Sequence, residues 1–72
     1  MSSTEMFITY YPNGNKCEEY NIINGVIEGN YFHYYLDGRI YISCYYKNNK
    51  KHGTYEMYNE EGHLIKQIYY ML

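Results

Sequence analysis

Glycine recurs in this sequence at a fixed interval, and that spacing restricts the fold more than any other feature. Two series share a period of 24 in residue number: Gly14, Gly38 and Gly62, and Gly29 with Gly53. Tyrosines follow it in two further series: Tyr10, Tyr34 and Tyr58, and Tyr31 with Tyr55. Such a period predicts a chain built by stacking one supersecondary unit on the next. We expect one domain over residues 1–72, with units at about 7–30, 31–54 and 55–72.

Each unit contains two expected strands and two expected turns. Asn13-Gly14 and Asp37-Gly38 predict tight hairpin turns of the primed type, which require positive φ. Segment 60–62 predicts a looser version of this turn, and turns between units are expected at 24–25 and 47–50. All five glycines of the two series are assigned structural turn roles.

The segments between these turns predict an all-β fold. Their lengths are typical of strands, and no segment has helical apolar spacing between credible caps. Sequential strands joined by short loops predict an antiparallel β-hairpin meander that forms one twisted, elongated sheet. Six strands are expected, near 5–11, 16–23, 29–36, 39–47, 53–59 and 63–71.

Alternation along the second strand of each unit predicts two different faces. The more apolar face is expected to carry Tyr20, Ile22, Ile40, Ile42, Cys44, Tyr46, Leu64, Ile68 and Tyr70. The other face is expected to carry Cys17, Glu19, Asn21, Tyr41, Ser43, Tyr45, Ile65, Gln67 and Tyr69. Cys17 and Cys44 are therefore expected on opposite faces, as free thiols rather than a disulfide.

Charge and composition argue against several classes of protein. The formal net charge is −2, which disfavours nucleic acid as a partner because phosphate binding needs a basic excess. The basic run of Lys47, Lys50 and Lys51 is expected to be a solvated turn. The sequence lacks both a basic and apolar leader and the roughly 18 consecutive apolar residues of a membrane span. The expected setting is therefore reducing and cytoplasmic.

No pattern in the sequence predicts catalysis, a metal or a cofactor. His33, His52 and His63 lack the close Cys/His spacing of zinc sites. Glu18 and Glu19 are neighbours on a strand, so they are expected on opposite faces rather than as a catalytic carboxylate pair. We predict that the protein is not an enzyme, and we assign no catalytic, cofactor-binding or metal-binding residue.

Tyrosine accounts for 13 of the 72 residues. Tyrosines in the recurring positions are expected to hold the sheet together through cross-strand aromatic pairs. Others fall on the less apolar faces or in the last strand, where partial exposure is expected. Tyrosine offers a large contact area with few rotors to immobilise, which suits interfaces. The predicted partner-binding residues are Tyr11, Tyr35, Tyr41, Tyr45, Tyr69 and Tyr70.

The repeated motifs resemble the MORN repeat in its variant form. The clearest copy is Tyr34-Tyr35-Leu36-Asp37-Gly38-Arg39-Ile40 followed by Gly53-Thr54-Tyr55-Glu56-Met57-Tyr58. An upstream copy is Tyr10-Tyr11-Pro12-Asn13-Gly14-Asn15-Lys16 followed by Gly29-Asn30-Tyr31-Phe32-His33-Tyr34. The resemblance extends from about Phe7 to Leu72. This sequence departs from the pattern by a loosened turn at 49–51, by Glu61 in place of Asn or Asp, and by the absence of Trp.

The resemblance implies a row of β-hairpins in one sheet and a scaffolding or interaction role without catalytic residues. Antitoxin roles have been assigned to some free-standing bacterial members of the family. The function expected here is non-catalytic binding to a larger protein, as a small inhibitor or antitoxin-like neutraliser. Two alternatives stay open: a homo-oligomeric scaffold, and a peripheral lipid binder that uses Lys47, Lys50 and Lys51.

The ends of the predicted sheet bear on the choice of partner. A meander that does not close leaves its outer strands with unpaired backbone groups. The last strand, 64–72, is apolar, lacks proline and holds one charged residue. We therefore expect this strand to lie in an interface, with either a protein partner or a second copy of the chain.

Overall fold

A computed structural model describes residues 3–71. Within these residues the chain forms seven strands and no helix. The strands are Thr4–Tyr10 (β1), Lys16–Ile23 (β2), Val26–Tyr34 (β3), Ile40–Lys47 (β4), Lys50–Lys51 (β5), Gly53–Tyr58 (β6) and Leu64–Tyr70 (β7). They pair antiparallel in one open sheet, in the order β1-β2-β3-β4-β6-β7, with β5 beside β4. The predicted all-β hairpin meander is confirmed.

The sheet is a single layer without an enclosed core. Its Cα atoms span 41 × 31 × 10 Å. Cys44, which is 5% exposed, is the one buried residue within the described range 3–71. A layer with solvent on both sides removes little apolar area from water. Backbone ladders and cross-strand side-chain pairs must therefore supply most of its stability.

The predicted strands agree with the observed ones except at two places. The third strand runs from Val26 to Tyr34, earlier than the predicted 29–36, because Asn24-Gly25 is a turn of only two residues. The short strand β5 was not predicted, and it extends the ladder of β4 through the pair Lys47 and Lys50. The other five strands agree with the prediction to within one residue at each end.

The turns at Gly14, Gly38 and Gly62 share one hydrogen-bonding pattern. In the second turn, the Gly38 N–H donates to the Tyr35 carbonyl at 2.9 Å, and the Tyr35 N–H donates to the Arg39 carbonyl at 2.7 Å. Three residues therefore separate the paired positions, and only the glycine has a positive φ, of 95°. This geometry matches a type I turn followed by a left-handed glycine. The prediction of two-residue primed turns at these sites is wrong.

The third of these turns keeps the same geometry despite Glu61. In the second turn, the Asp37 Oδ1 accepts a hydrogen bond from the Arg39 N–H at 3.0 Å. In the third turn, the Asn59 Oδ1 accepts hydrogen bonds from the N–H groups of Glu61 and His63, at 2.9 and 3.0 Å. The predicted looser turn at 60–62 is therefore wrong, because Asn59 replaces the missing short side chain.

Primed turns occur at the opposite ends of the strands. Asn24 and Gly25 have φ values of 50° and 82°, and Asn48 and Asn49 have values of 53° and 69°. Left-handed conformation at both central residues is the requirement of a type I′ hairpin. The Asn49 Oδ1 also accepts a hydrogen bond from the Ile27 N–H at 2.7 Å. The turn at 48–49 is thus tight, and the loosening predicted for 49–51 is wrong.

Gly29 and Gly53 lie within the sheet rather than in reversing turns. Gly29 belongs to β3 and has a φ of 97°, and Gly53 begins β6 with a φ of 76°. The register of β2 with β3 shifts between Tyr20 and Ile22, opposite Gly29. These glycines therefore permit a local break in the ladder, which corrects the turn role predicted for them.

A further irregularity recurs once in every repeat. The register of β1 with β2 shifts between Thr9 and Tyr10, and this shift leaves Cys17 as an extra residue. The corresponding shifts in the next two hairpins leave Tyr41 and Ile65 as extra residues. A single-residue bulge reverses the alternation of the side chains beyond it.

The two faces of the sheet are named by their central tyrosines. Cross-strand pairs define the Tyr31 face, which carries Phe7, Glu18, Tyr20, Tyr31, His33, Ile42, Cys44, Tyr46, Tyr55, Ile68 and Tyr70. The Tyr34 face carries Met6, Ile8, Glu19, Phe32, Tyr34, Ile40, Ser43, Tyr45, Glu56, Tyr58, Leu64, Gln67 and Tyr69.

The bulges overturn part of the predicted division of faces. Ile40 and Leu64 pair with the tyrosines of the Tyr34 face instead of lying with Cys44. The Cys17 Sγ lies 3.9 Å from the His33 Nε2, which places this thiol on the Tyr31 face. Cys17 and Cys44 therefore share a face, contrary to prediction, and both are free thiols.

The left-handed glycine of the second turn generates a stability prediction. A Cβ at Gly38 would meet no atom within 4 Å, so substitution strains only the backbone. We expect Gly38→Ala to lower the free energy of unfolding by about 1–2 kcal/mol, measured by urea denaturation. Glu60→Ala, at an exposed turn position with ordinary φ, is the control. Equal denaturation midpoints for the two variants would contradict the turn assignment.

Candidate functional site

An aromatic row crosses the Tyr31 face from the first edge of the sheet inwards. Ring centroids lie 5.2 Å apart for Phe7 and Tyr20, 5.4 Å apart for Tyr20 and Tyr31, and 5.6 Å apart for Tyr31 and Tyr46. These four rings belong to four consecutive strands. Each separation falls in the range where aromatic pairs attract one another beyond simple burial.

On the same face, towards the β7 edge, a lysine lies over two further rings. The Lys51 Nζ lies 4.9 Å from the Tyr55 ring centroid and 5.5 Å from that of Tyr70. The two rings are themselves 6.2 Å apart. A lysine over aromatic faces is held by cation–π attraction. Of the predicted basic cluster, Lys51 is thus engaged in the sheet, whereas Lys47 and Lys50 flank the turn at 48–49.

Two carboxylates hold tyrosine hydroxyls on opposite faces. The Tyr31 hydroxyl donates to the Glu18 Oε2 at 2.7 Å, and the Tyr34 hydroxyl donates to the Glu19 Oε1 at 2.8 Å. Burial and the acceptor Glu18 raise the pKa of Tyr31 above its usual range. Burial, followed by the bond to Glu19, raises the pKa of Tyr34 to about 12. The predicted separation of Glu18 and Glu19 onto opposite faces is confirmed.

Two of the six predicted partner-binding tyrosines brace one repeat against the next. The Tyr11 hydroxyl donates to the Tyr34 carbonyl at 2.6 Å, and the Tyr35 hydroxyl donates to the Tyr58 carbonyl at 2.7 Å. The two bonds join equivalent positions of successive repeats, so the brace recurs with the period of the sequence. Both side chains are half-buried and their hydroxyls are occupied, which assigns Tyr11 and Tyr35 a structural role.

A third predicted tyrosine, Tyr41, packs against Tyr35 near the second turn. Tyr41 is a bulge residue whose ring centroid lies 4.7 Å from that of Tyr35 and 5.4 Å from that of His33. Its predicted place on the less apolar face is wrong, because the bulge turns it onto the Tyr31 face. Cys17 occupies the same position one repeat earlier and is turned onto the Tyr31 face by the corresponding bulge.

The other three predicted tyrosines differ in exposure. Tyr45 is 41% exposed and Tyr69 is 68% exposed, and both lie on the Tyr34 face. Tyr70 is half-buried against Tyr55 and Lys51 on the Tyr31 face. Tyr45 and Tyr69 are therefore the two of the original six that are most open to solvent.

Exposed apolar side chains concentrate at the two edges of the sheet. The strand β7 and the residue that follows it expose Leu64, Ile65, Tyr69 and Met71, the last at 78%. The opposite edge strand, β1, exposes Met6, Phe7 and Tyr10. The sequence predicted an interface only at the β7 edge, and the exposed apolar side chains of β1 were not predicted.

Reactive groups are sparse on the described residues. The Cys17–His33 contact at 3.9 Å joins a thiol to an imidazole, but it is longer than the roughly 2.6–3.2 Å typical of a nucleophile and its general base. Burial raises the pKa of the Cys44 thiol. Residues 3–71 do not bring three His, Cys, Asp or Glu side chains together in a group suited to a metal ion. That same range contains no helix with the length and apolar character needed to cross a membrane.

Comparisons with protein-family models, with curated proteins and with solved structures yield no match to this chain. The resemblance to the MORN repeat stays a prediction based on the motifs quoted above.

The brace between repeats can be tested by removing one hydroxyl group. Tyr35→Phe deletes the donor to the Tyr58 carbonyl while keeping the ring. We expect a loss of about 0.5–1.5 kcal/mol in the free energy of unfolding. Tyr69→Phe, on an exposed ring, is the matched control and should change stability less. A Tyr35→Phe variant as stable as the control would contradict the structural role of this hydroxyl.

The raised pKa of Tyr34 predicts a loss of stability in alkali. The folded state favours the neutral phenol, so it binds more protons than the unfolded state between pH 10 and about 12. Its contribution is fully present below pH 10 and is lost as pH rises through about 12. We expect Tyr34→Phe to lose stability less steeply across this window, measured by urea denaturation at several pH values. An unchanged slope would contradict the assignment.

Proposed function

We propose that the protein is a non-catalytic protein-binding module that pairs its edge strand β7 with a strand of another polypeptide. One observation carries the proposal: β7 is an exposed, apolar strand whose outer backbone groups have no partner within residues 3–71. Addition of a strand to an exposed edge is a common mode of protein recognition. An uncovered edge of this composition would otherwise be an aggregation site.

The orientation of the backbone in β7 supports this mode of binding. In β4, the Tyr45 carbonyl accepts a hydrogen bond from the His52 N–H at 2.9 Å, so Tyr45 directs its backbone groups towards the following strand. Tyr69 occupies the same position one repeat later, in a strand that no other strand follows within residues 3–71. Because alternate residues share an orientation, Gln67 and Tyr69 offer donors and acceptors to a new strand.

The side chains of β7 indicate the chemistry of the partner. Ile65, Tyr69 and the following Met71 are exposed, and Lys66 is the one charged residue in the strand. A complementary strand would supply apolar side chains on both faces and would need no large charge. Inhibition of a larger protein could follow from occlusion alone, and such a role requires no catalytic group.

A homo-oligomeric scaffold is the second candidate, and a separate observation favours it. The edge strand β1 is also open, and it exposes Met6, Phe7 and Tyr10. A chain with two open apolar edges can pair the β7 edge of one copy with the β1 edge of another.

The edge contact can be tested without disturbing the interior of the sheet. Gln67→Pro removes an outward N–H, and proline is tolerated on an edge strand where the N–H faces solvent. We expect this variant to lose assembly and captured partners, measured by analytical ultracentrifugation and affinity capture. Gln67→Ala, which keeps the N–H, is the matched control and should retain both.

Two outcomes would overturn the proposed edge contact. Binding that survives Gln67→Pro would show that the backbone of β7 is not used. Binding that is lost in Tyr45→Asp but kept in Gln67→Pro would place the contact on the Tyr34 face, since Tyr45 is exposed on an inner strand. Hydrogen exchange at Gln67 and Tyr69 adds a direct measure, because pairing should protect both amides.

A further inference from the structure

We infer that the strand covering β7 is β1 of a second copy of this chain, so that copies join head to tail and the sequence period runs on from one to the next. This inference rests on the proposed function of β7 as the binding edge. It adds the identity of the partner, the strand that the partner contributes, and the register of the pair.

The repeat makes the two edges complementary. Phe7 in β1 occupies the position of Tyr31 in β3 and of Tyr55 in β6, at intervals of one period. The last strand, β7, occupies in the same way the position of β2 and of β4. Inside the sheet, β2 pairs with β3 and β4 pairs with β6 across the boundaries between repeats. A β7 strand beside β1 of another copy would repeat this inner contact once more.

The inner pairs also specify the register. Glu19 pairs with Phe32, and Ser43 pairs with Glu56, so the second pair lies one period beyond the first on both strands. One repeat further, the series pairs Gln67 with a position 80 that would lie beyond the 72-residue chain. Three periods of 24 are 72 residues, so the equivalent of position 80 in a second copy is Ile8. The same operation places Ile68 opposite Phe7 of that copy.

Backbone orientation agrees with this register. The Ser3 carbonyl accepts a hydrogen bond from the Asn24 N–H at 3.0 Å, so Ser3 directs its backbone groups towards β2. Alternation then directs the groups of Ile8 away from β2, towards the open edge. Gln67 directs its backbone groups outwards from the other edge. The two residues can therefore exchange both of their backbone hydrogen bonds.

The side chains brought together by this register are compatible. Ile68 faces Phe7 on the Tyr31 face, and Tyr69, at 68% exposure, faces Met6, at 63% exposure, on the Tyr34 face. Glu5 is the one charge in β1 and Lys66 the one charge in β7, so no like charges oppose each other. The exposed apolar residues that distinguish these two edges would thus cover one another.

The proposed contact is not self-complementary. Each copy would offer β7 to one neighbour and β1 to another, which is a heterologous contact and generates a ring if the rotation between copies closes and an open chain if it does not. Glu5 takes the position of Gly29 and Gly53 in this series, and a side chain disfavours their left-handed φ. We therefore expect β1 to pair in a straight ladder through Glu5, without the glycine bulge.

A disulfide scan tests both the partner and the register. Ile8→Cys and Gln67→Cys are combined in one chain that also carries Cys17→Ser, and the protein is oxidised and separated without reductant. Directly opposed residues of an antiparallel pair are close enough for a disulfide. We expect a ladder of covalent multimers from the double variant and only dimers from a mixture of the two single variants. Ile8→Cys with Tyr69→Cys, displaced by two residues on the same face, should cross-link far less.

Proline variants separate this inference from the proposed function. Ile8→Pro blocks the outer edge of β1 and Gln67→Pro blocks that of β7, so each variant alone should sediment as a monomer and their mixture as a dimer. A dimer of Ile8→Pro alone would indicate pairing of β7 with β7, which overturns the head-to-tail inference and leaves the binding edge intact. A wild-type chain that is monomeric, and whose β7 amides become protected only when another protein is added, would also overturn the head-to-tail inference and keep β7 as the binding edge. Freely exchanging β7 amides under all conditions would overturn both.

Discussion

Cross-strand pairing between side chains of successive repeats is the interaction on which this structure depends. A sheet whose Cα atoms extend only 10 Å in their thinnest direction encloses no core, and Cys44 alone is buried within residues 3–71. The stabilising contacts must therefore lie in the plane of the sheet. Aromatic rings along the Tyr31 face supply one such set, and hydroxyl-to-carbonyl bonds from Tyr11 and Tyr35 supply another.

This dependence explains why most of the tyrosines are structural. Tyrosine has a ring large enough to contact its neighbour across a strand and a hydroxyl that can bond to the backbone or to a carboxylate. The bond from Tyr34 to Glu19 and the bond from Tyr31 to Glu18 show this use on opposite faces. Few tyrosines then remain for recognition, and most of the exposed large apolar side chains lie on the edge strands instead.

A sheet built from repeats can extend its own internal contacts to further copies of the chain. Each inner strand meets a neighbour whose side chains are set by the same period, so the contact that joins one repeat to the next is available again at both ends. Natural sheets usually protect such edges with charge, proline or a covering element. Here β7 has one charge and no proline, and β1 has one charge. The two edge strands thus carry the same kind of side chains as the paired strands inside the sheet, and they have little of the usual protection.

The sequence by itself determined the number of long strands, the antiparallel meander and the positions of the turns. These features follow from local requirements, because glycine or asparagine must stand where φ is positive and strands alternate between such points. The tertiary structure alone decided the turn types, the face of each residue beyond a bulge, and the exposure of each tyrosine. A bulge is a property of two paired strands, so alternation along one strand placed Cys17 and Tyr41 on the wrong face. Exposure likewise depends on which neighbour a ring meets across the ladder, and the order of residues in one strand does not specify that neighbour.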